Sequence, residues 1–323
     1  MSFSDVNPPR ALTRDGAGLH VAILLTTFNG GRFLEEQLNS IAGQTHRDWT
    51  LYISDDGSSD ATPHIVERFQ QRLGSDRVHL FNGPRVGFAQ NFLSLVRNSK
   101  IEADFFAFSD QDDIWFPDKL ERALARLPQV AGKCPAMYCS RTRLVDESGN
   151  FIGYSPLFVR TPSFQNALVQ SLAGANTMLL NRSARDLLAA VPSTAPVVSH
   201  DWLCYLLVSG CGGQVFYDAQ PTIDYRQHGG NVIGSNTGLL DRWLRIRRML
   251  SGTFRDWNQN NLVVLRHFRS QLTAENRDVL CQFVLARKSC FAARLRLLWE
   301  AGLYRQTILG NIGLVVAVSV RKI

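Results

Sequence analysis

The sequence predicts an α/β fold built on a parallel sheet, followed by a helical C-terminal extension. Three observations carry that expectation. Strand-like and helix-like segments alternate four times between His20 and Trp115, the pattern of parallel strands joined by crossover helices. The first strand segment, His20–Phe28, is an almost unbroken apolar run, as burial on both faces requires. After Gly238 strand patterns cease and only helical spacings recur.

The elements follow in order. Asn29-Gly30-Gly31 ends the first strand, and Phe33, Leu34, Leu38 and Ile41 then recur at helical spacing with Glu35 and Glu36 in the early turns. Trp49–Ser54 is the second strand, and Ile65, Val66, Phe69 and Leu73 mark one face of the second helix. Arg77–Phe81 and Gly87–Val96 are the third strand and helix. The fourth strand, Phe105–Ser109, runs into Asp110-Gln111-Asp112-Asp113, and a helical pattern begins beyond Pro117. Further on, Ala136–Val145 reads as one strand with a turn at Asp146–Asn150, and Gly174–Leu180 as a strand starting from a small-residue loop. Leu203–Val208 is helical, and Gln214–Tyr217 with Thr222–Tyr225 form a strand pair or one broken strand.

A chain of 323 residues suits one large α/β domain with an appendage, or two small domains, and 45% hydrophobic content is enough for a real core. Residues 1–18 read as a flexible polar tail without the apolar core of a signal peptide. Six widely spaced cysteines, with no Cys-x-x-Cys pair, favour reduced thiols over a zinc site or a disulfide framework. The net charge of +7 is uneven: Leu239–Ile323 holds 15 Lys/Arg against five Asp/Glu, leaving 20 against 23 elsewhere. That asymmetry points the C-terminal part at something anionic, nucleic acid or membrane headgroups.

Open α/β sheets bind ligands beyond the C-terminal ends of their strands. Those four ends read Thr27-Phe28-Asn29, Asp55-Asp56-Gly57-Ser58, Asn82-Gly83-Pro84-Arg85 and Asp110-Gln111-Asp112-Asp113. All are polar and turn-rich. Three carboxylates in four residues are suitable oxygen ligands for magnesium, which takes one or two carboxylates plus substrate phosphates. By itself the run reads more readily as a solvated turn ahead of a helix capped by Asp118. No Gly-x-Gly-x-x-Gly follows the first strand and no Walker loop occurs, so a bound nucleotide would be held by carboxylates and a metal.

Taken in order, Thr-Thr-Phe-Asn at 26–29, Ser-Asp-Asp-Gly-Ser-Ser-Asp at 54–60, Asn-x-x-x-x-Gly-Phe-Ala-x-Asn at 82–91 and Asp-Gln-Asp-Asp-x-Trp at 110–115 resemble family-two glycosyltransferases. These have the GT-A fold, a Rossmann-like mixed sheet. The resemblance is greatest to the rhamnosyltransferase-like members that build bacterial surface polysaccharides, and it covers about residues 20–235. It implies a catalytic domain over 19–235, with a nucleotide-sugar half to 116 and an acceptor half from 117, ahead of a basic helical region at 236–323. The reaction implied is inverting transfer from a nucleoside-diphosphate sugar with Mg or Mn. Thr27, Phe28, Asn29 and Asp55 or Asp56 would hold base and ribose, with Arg85 at base or phosphate. Asp110 and Asp112 would be the Asp-x-Asp pair for metal and ribose, with Asp113 in reserve.

In the second half the resemblance places the acceptor near Gly174-Ala175-Asn176 and around His200 and Trp202. Asp201, which otherwise reads as a helix-capping acid, matches the family's catalytic base. Tyr-Arg-x-His-x-x-Asn at 225–231 brings Arg226 for a diphosphate and His228 as a further metal or phosphate ligand, against the plainer reading of a surface turn.

Beyond Gly238, Leu239, Trp243, Ile246 and Leu250 share a helical face flanked by Arg242, Arg245, Arg247 and Arg248. This is either a membrane-surface helix or an ordinary helix with a solvated basic face. Helices are also expected over Asn260–Arg269, Arg277–Arg287 and Phe291–Tyr304. The last apolar run, Ile308–Val320, has 13 residues, short of the ~20 a spanning helix needs, so peripheral attachment to the cytoplasmic face of the inner membrane is expected, near a lipid-linked glycan acceptor. Two other classes fit less of the chain. A nucleotidyltransferase would show a glycine-rich basic loop after the first strand. A nucleic-acid-binding protein would show a helix-turn-helix or RNA-binding signature, so no nucleic-acid partner is expected.

Overall fold

The computed structural model describes residues 19–127, 133–229 and 252–323. The expected tail at 1–18, the basic helix at 239–250 and the end of the Tyr-Arg-x-His-x-x-Asn block lie outside the described residues.

The first half is four strand–helix units: β1 (Val21–Thr27), α1 (Leu34–Ala42), β2 (Trp49–Asp55), α2 (Thr62–Leu73), β3 (Val78–Asn82), α3 (Phe88–Arg97) and β4 (Phe105–Ser109), followed by α4 (Lys119–Leu124). β1 pairs in parallel with β2 and β4, and β2 with β3. Every residue of β1 is buried, because helices cover both faces of the sheet. Val21, Ile23 and Leu25 enter the core under α1, α2 and α4; Ala22 and Leu24 enter the core under α3.

The expected strand Ala136–Val145 is instead two strands in two sheets. β6 (Ala136–Ser140) joins the main sheet, while β7 (Arg143–Val145) joins a small second one. The crossing lies at Arg141-Thr142, where the apolar run gives way to polar residues, and Arg141 N–H donates to the Asp218 carbonyl. The turn at Asp146–Asn150 forms as expected: the Asp146 carboxylate accepts from Ser148 and Asn150 N–H. The Gly174–Leu180 segment begins as a 3-10 turn over Ala175–Thr177 and becomes β9 (Leu179–Asn181), antiparallel to both β4 and β6. β10 (Gln214–Asp218) and β11 (Ile223–Arg226) do not pair with each other: β10 edges the main sheet beside β6, and β11 lies beside β7.

The main sheet therefore runs β10-β6-β9-β4-β1-β2-β3. The small sheet, β5 (Ile114–Trp115), β11, β7 and β8 (Phe151–Tyr154), stands beyond the end of β4. β5, β8 and two helices, α5 (Phe164–Ala167) and α6 (Arg182–Ala189), were not anticipated; β5 and α5 are too short to show a period.

α7 (His200–Gly210) is buried on nearly every side. α8 (Thr253–His267), α9 (Ala274–Lys288), α10 (Phe291–Glu300) and α11 (Ile308–Ser319) follow, and their Leu265, Phe283, Leu298 and Leu314 belong to the same core as Leu206 of α7 and Phe108. All six cysteines are free. Among the described residues, no helix is long and apolar enough to cross a membrane.

His200, at the start of α7, is only 4% exposed, stacked on Phe92 at 4.0 Å and edge-on to Phe108. Neither ring nitrogen has a partner, and burial pushes its pKa down to about 3. The unfolded chain, with an ordinary histidine, binds this proton below pH ~6.5 and the native protein does not. The His200 contribution to stability is therefore complete above pH ~6.5 and falls by about 1.4 kcal/mol per pH unit as pH drops towards 3. Urea melts at stepped pH values should show this slope, and His200→Phe should remove it.

Candidate active site

Parallel register brings the first three strand ends level: Thr27 lies beside Asp55, and Asp55 beside Asn82. The Thr27 hydroxyl donates to Asp55 Oδ1 at 2.7 Å, and Ser58 donates to the same carboxylate through its hydroxyl at 2.5 Å and its N–H at 2.9 Å. Burial pushes the Asp55 pKa up, but these bonds outweigh it and hold the group below the usual carboxylate range. Asp55 is thus a fixed anion at the C-terminal end of β2.

Asn29 takes a left-handed conformation, φ 48°, which asparagine tolerates better than most residues. That bend lets its N–H reach the Ser58 hydroxyl while its side-chain oxygen accepts from Ser59 N–H. Phe28 stays exposed, its backbone clamped by both ends of the Gln111 amide. Asp56 turns away and accepts from Arg85 N–H at 2.6 Å and Gly87 N–H at 3.2 Å, shaping the loop that carries Arg85. The Arg85 side chain in turn crosses Gly57, where a Cβ would sit 2.8 Å from Arg85 Nε; glycine is needed for that approach and for its φ of 96°.

The acid run divides into three roles. Asp113 is fully buried and accepts from the Asn176 amide at 2.5 Å, tying the loop after β4 to the 174–178 segment. Asp112 pairs with His228 Nε2 at 2.7 Å. Asp110 has its pKa raised to about 7 by burial, then by the charges of Asp112 and Asp201. Asp201, in the first turn of α7, is itself raised by burial, moderated by hydrogen bonds from Ser199 and Ser171. Carboxylates from two distant parts of the chain thus crowd one site.

Not every expected residue faces it. Arg226 is buried, donating to Glu36 and to the carbonyls of Asp112 and Glu147 while lying over the Phe33 ring at 4.6 Å. Expected at a diphosphate, it braces the loop that presents Asp112. His200 and Trp202, expected at the acceptor, lie in the core; the Trp202 indole donates to the Ala167 carbonyl at 2.6 Å. Asn176 is buried against Asp113. Conversely, Gln111 and Ser171 were missed. Gln111 stood inside the acid motif and was overshadowed by its neighbours, and nothing in the sequence marks Ser171 as a partner of Asp201.

Among the described residues no three His, Cys, Asp or Glu side chains form a complete metal cage. The donor set nevertheless suits a hard divalent cation completed by phosphate oxygens: Asp112 with His228 beside it, and Asp110 pressed by uncompensated negative charge.

Residues 22–184 match the family described as Glycosyl transferase family 2. The chain is similar to the dTDP-rhamnosyl transferase RfbG of Shigella flexneri, 30% identical over 69% of this chain and 78% of that one. It is also similar to the putative teichuronic acid biosynthesis glycosyltransferase TuaG of Bacillus subtilis, 25% identical over 50% and 62% of the two chains. Its fold resembles S. aureus TarS 1-349, solved with UDP-GlcNAc (TM-score 0.52, 14% identity, 88% of this chain and 93% of that one). It also resembles the mannosyltransferase PcManGT of Pyrobaculum calidifontis, solved with GDP-Man and Mn2+ (TM-score 0.51, 15% identity, 95% and 88%). Ordered strand-end motifs, a mainly parallel sheet and these likenesses agree: the chain belongs to glycosyltransferase family 2, as a rhamnosyltransferase-like member with the GT-A fold.

Proposed function

We propose that this glycosyltransferase moves a sugar, rhamnose from a dTDP donor by analogy with its 30%-identical relative, onto a growing surface glycan with inversion at the anomeric carbon. The observation that carries the reading is the approach of Asp201 to Asp110, near enough for its charge to raise the Asp110 pKa, which puts a half-buried carboxylate beside the acidic run after β4. Inversion is a single displacement, so one base must take the proton of the attacking hydroxyl. Asp201 has the raised proton affinity for that, together with Ser171 at 3.2 Å to aim it.

The donor's base and ribose would meet Phe28, Asn29, Asp55 and the Arg85 loop, held by the Gln111 clamp on Phe28 and by the hydrogen bonds among the loops after β1, β2 and β3. Asp112 and His228, with Asp110, would hold Mg or Mn, which when bound neutralises charge on the departing diphosphate. Asp113 stays a support, anchored by Asn176. The acceptor would approach from the Asp201 side, carried on a lipid at the cytoplasmic face of the inner membrane. Residues 19–235 would form the catalytic unit and 236–323 the part that places it.

Asp201→Asn should lower kcat by about 10²- to 10⁴-fold while leaving donor affinity, read by calorimetry, near that of the parent; retained turnover would remove Asp201 as the base. The rate should fall as pH drops through a pKa above the ordinary aspartate value of ~3.9. Ser171→Ala, which loses a bond favouring the ionised form, should move that acid limb to higher pH.

Asp112→Ala should abolish the metal-dependent part of donor binding, and His228→Ala should weaken metal affinity by about 10- to 100-fold. Donor affinity indifferent to chelator and to both changes would exclude the metal site. The sugar is tested by thermal shift and hydrolysis across a panel of nucleotide sugars, dTDP-rhamnose first.

A further inference from the structure

The final helix, α11, hides only one side. Leu314, Ala317 and Val318 enter the core, while Ile308 (82% exposed), Leu309 (73%), Ile312 (56%) and Val315 (54%) face outward with Val316 and Val320. Spacing by three and four makes these one continuous helical face. Between Ile308 and Val320 there is no Asp, Glu, Lys or Arg. Two exposed side chains of α10 add to the apolar surface of this end of the chain: Trp299, 84% exposed, and Phe291. Scattered surface aliphatics need no explanation, but a helix face carrying six of them marks an interaction surface.

Charge indicates what covers it. From Lys288 to the end the chain has six Lys/Arg and one acid, Glu300. Arg294 is buried on the carbonyls of Ala286, Ser289 and Val318, and Arg296 pairs with Glu300, so the net positive charge of this end rests on Lys288, Arg305, Arg321 and Lys322. Arg321 and Lys322 stand directly beyond the last turn of α11, and Arg321 is exposed. An apolar helix face, an exposed tryptophan and a cationic end are the combination that lies in the interface of an anionic bilayer. The aliphatics enter the acyl boundary while the cations stay with the headgroups. A second protein chain would be served by the apolar face but would give the excess of positive charge no role. The helix is only 12 residues long, so it lies along the surface and does not span it.

We propose that the outward face of α11, with Arg321 and Lys322 at its end and the exposed Trp299 of α10, inserts in-plane into an anionic membrane leaflet. This deepens the lipid-linked acceptor reading above, and it stands or falls on lipid binding, independently of sugar transfer.

The test is co-sedimentation of the full chain with vesicles of phosphatidylglycerol and phosphatidylethanolamine, and with vesicles of phosphatidylcholine alone. The parent protein should partition to the anionic vesicles at least about tenfold better than to the neutral ones. The triple variant Ile308→Gln, Ile312→Gln, Val315→Gln should lose about tenfold or more of that partition with an unchanged melting temperature, as expected for outward positions. Trp299 emission should shift to the blue on vesicle addition, read as the difference between the parent and Trp299→Phe. Anionic vesicles that fail to sediment the parent, or that sediment the variant equally, overturn the proposal. So does a parent dimer in analytical ultracentrifugation that the triple variant dissolves, because a second copy would then own the face. Turnover on a soluble acceptor, measured in parallel, separates this failure from failure of the transferase reading.

Discussion

The in-register pairing of β1 with β2, and of β2 with β3, is the constraint on which the site depends. Because Thr27, Asp55 and Asn82 are level, one hydroxyl can bond across to one carboxylate, and the loops that follow all start from the same plane. A slip of one residue would turn Thr27 to the opposite face and leave Asp55 with one donor fewer. Burial of alternate β1 residues in two separate cores prevents such a slip, since it would exchange the residues of the two cores. Packing deep in the sheet thus sets hydrogen bonding at its edge.

From that edge the molecule accepts an electrostatic cost. Asp110, Asp113 and Asp201 all have raised proton affinity, and burial is the leading cause each time. Such a cluster disfavours its own ionised state. The surrounding braces keep it from relaxing: Arg226 under the Asp112 loop, Asn176 on Asp113, and the Gln111 amide on Phe28. Arg226 contributes by holding the backbone, with its charge directed to Glu36.

The helices after residue 252 are continuous with this scaffold, because their apolar faces finish the core around α7, the element that delivers Asp201. Asn276 caps that arrangement by donating to the carbonyls of Ser209 and Gly210 at the end of α7. The exposed face of α11 and the helix that carries Asp201 are therefore parts of one packed body.

The sequence by itself determined the alternation of strands and helices, the polar strand ends and the Asp110–Asp113 run, because periodicity and turn chemistry are local properties. The boundaries of β1 through β4 lie within a residue or so of the apolar runs that predicted them. Tertiary structure alone decided that 136–145 splits between two sheets, that β10 and β11 part company, and which acids meet. Asp110 and Asp201 are 91 positions apart in sequence, and between them the chain makes β6, β7, β8 and β9, with β9 inserted antiparallel between β4 and β6. Arg226, His200 and Trp202 show the same limit from the other side. Their residue types suggested ligand contacts, yet burial against Phe33, Phe92 and Ala167 gives them to the scaffold. Side-chain chemistry is written locally, but the direction a side chain faces is settled by which distant surface its element must bury.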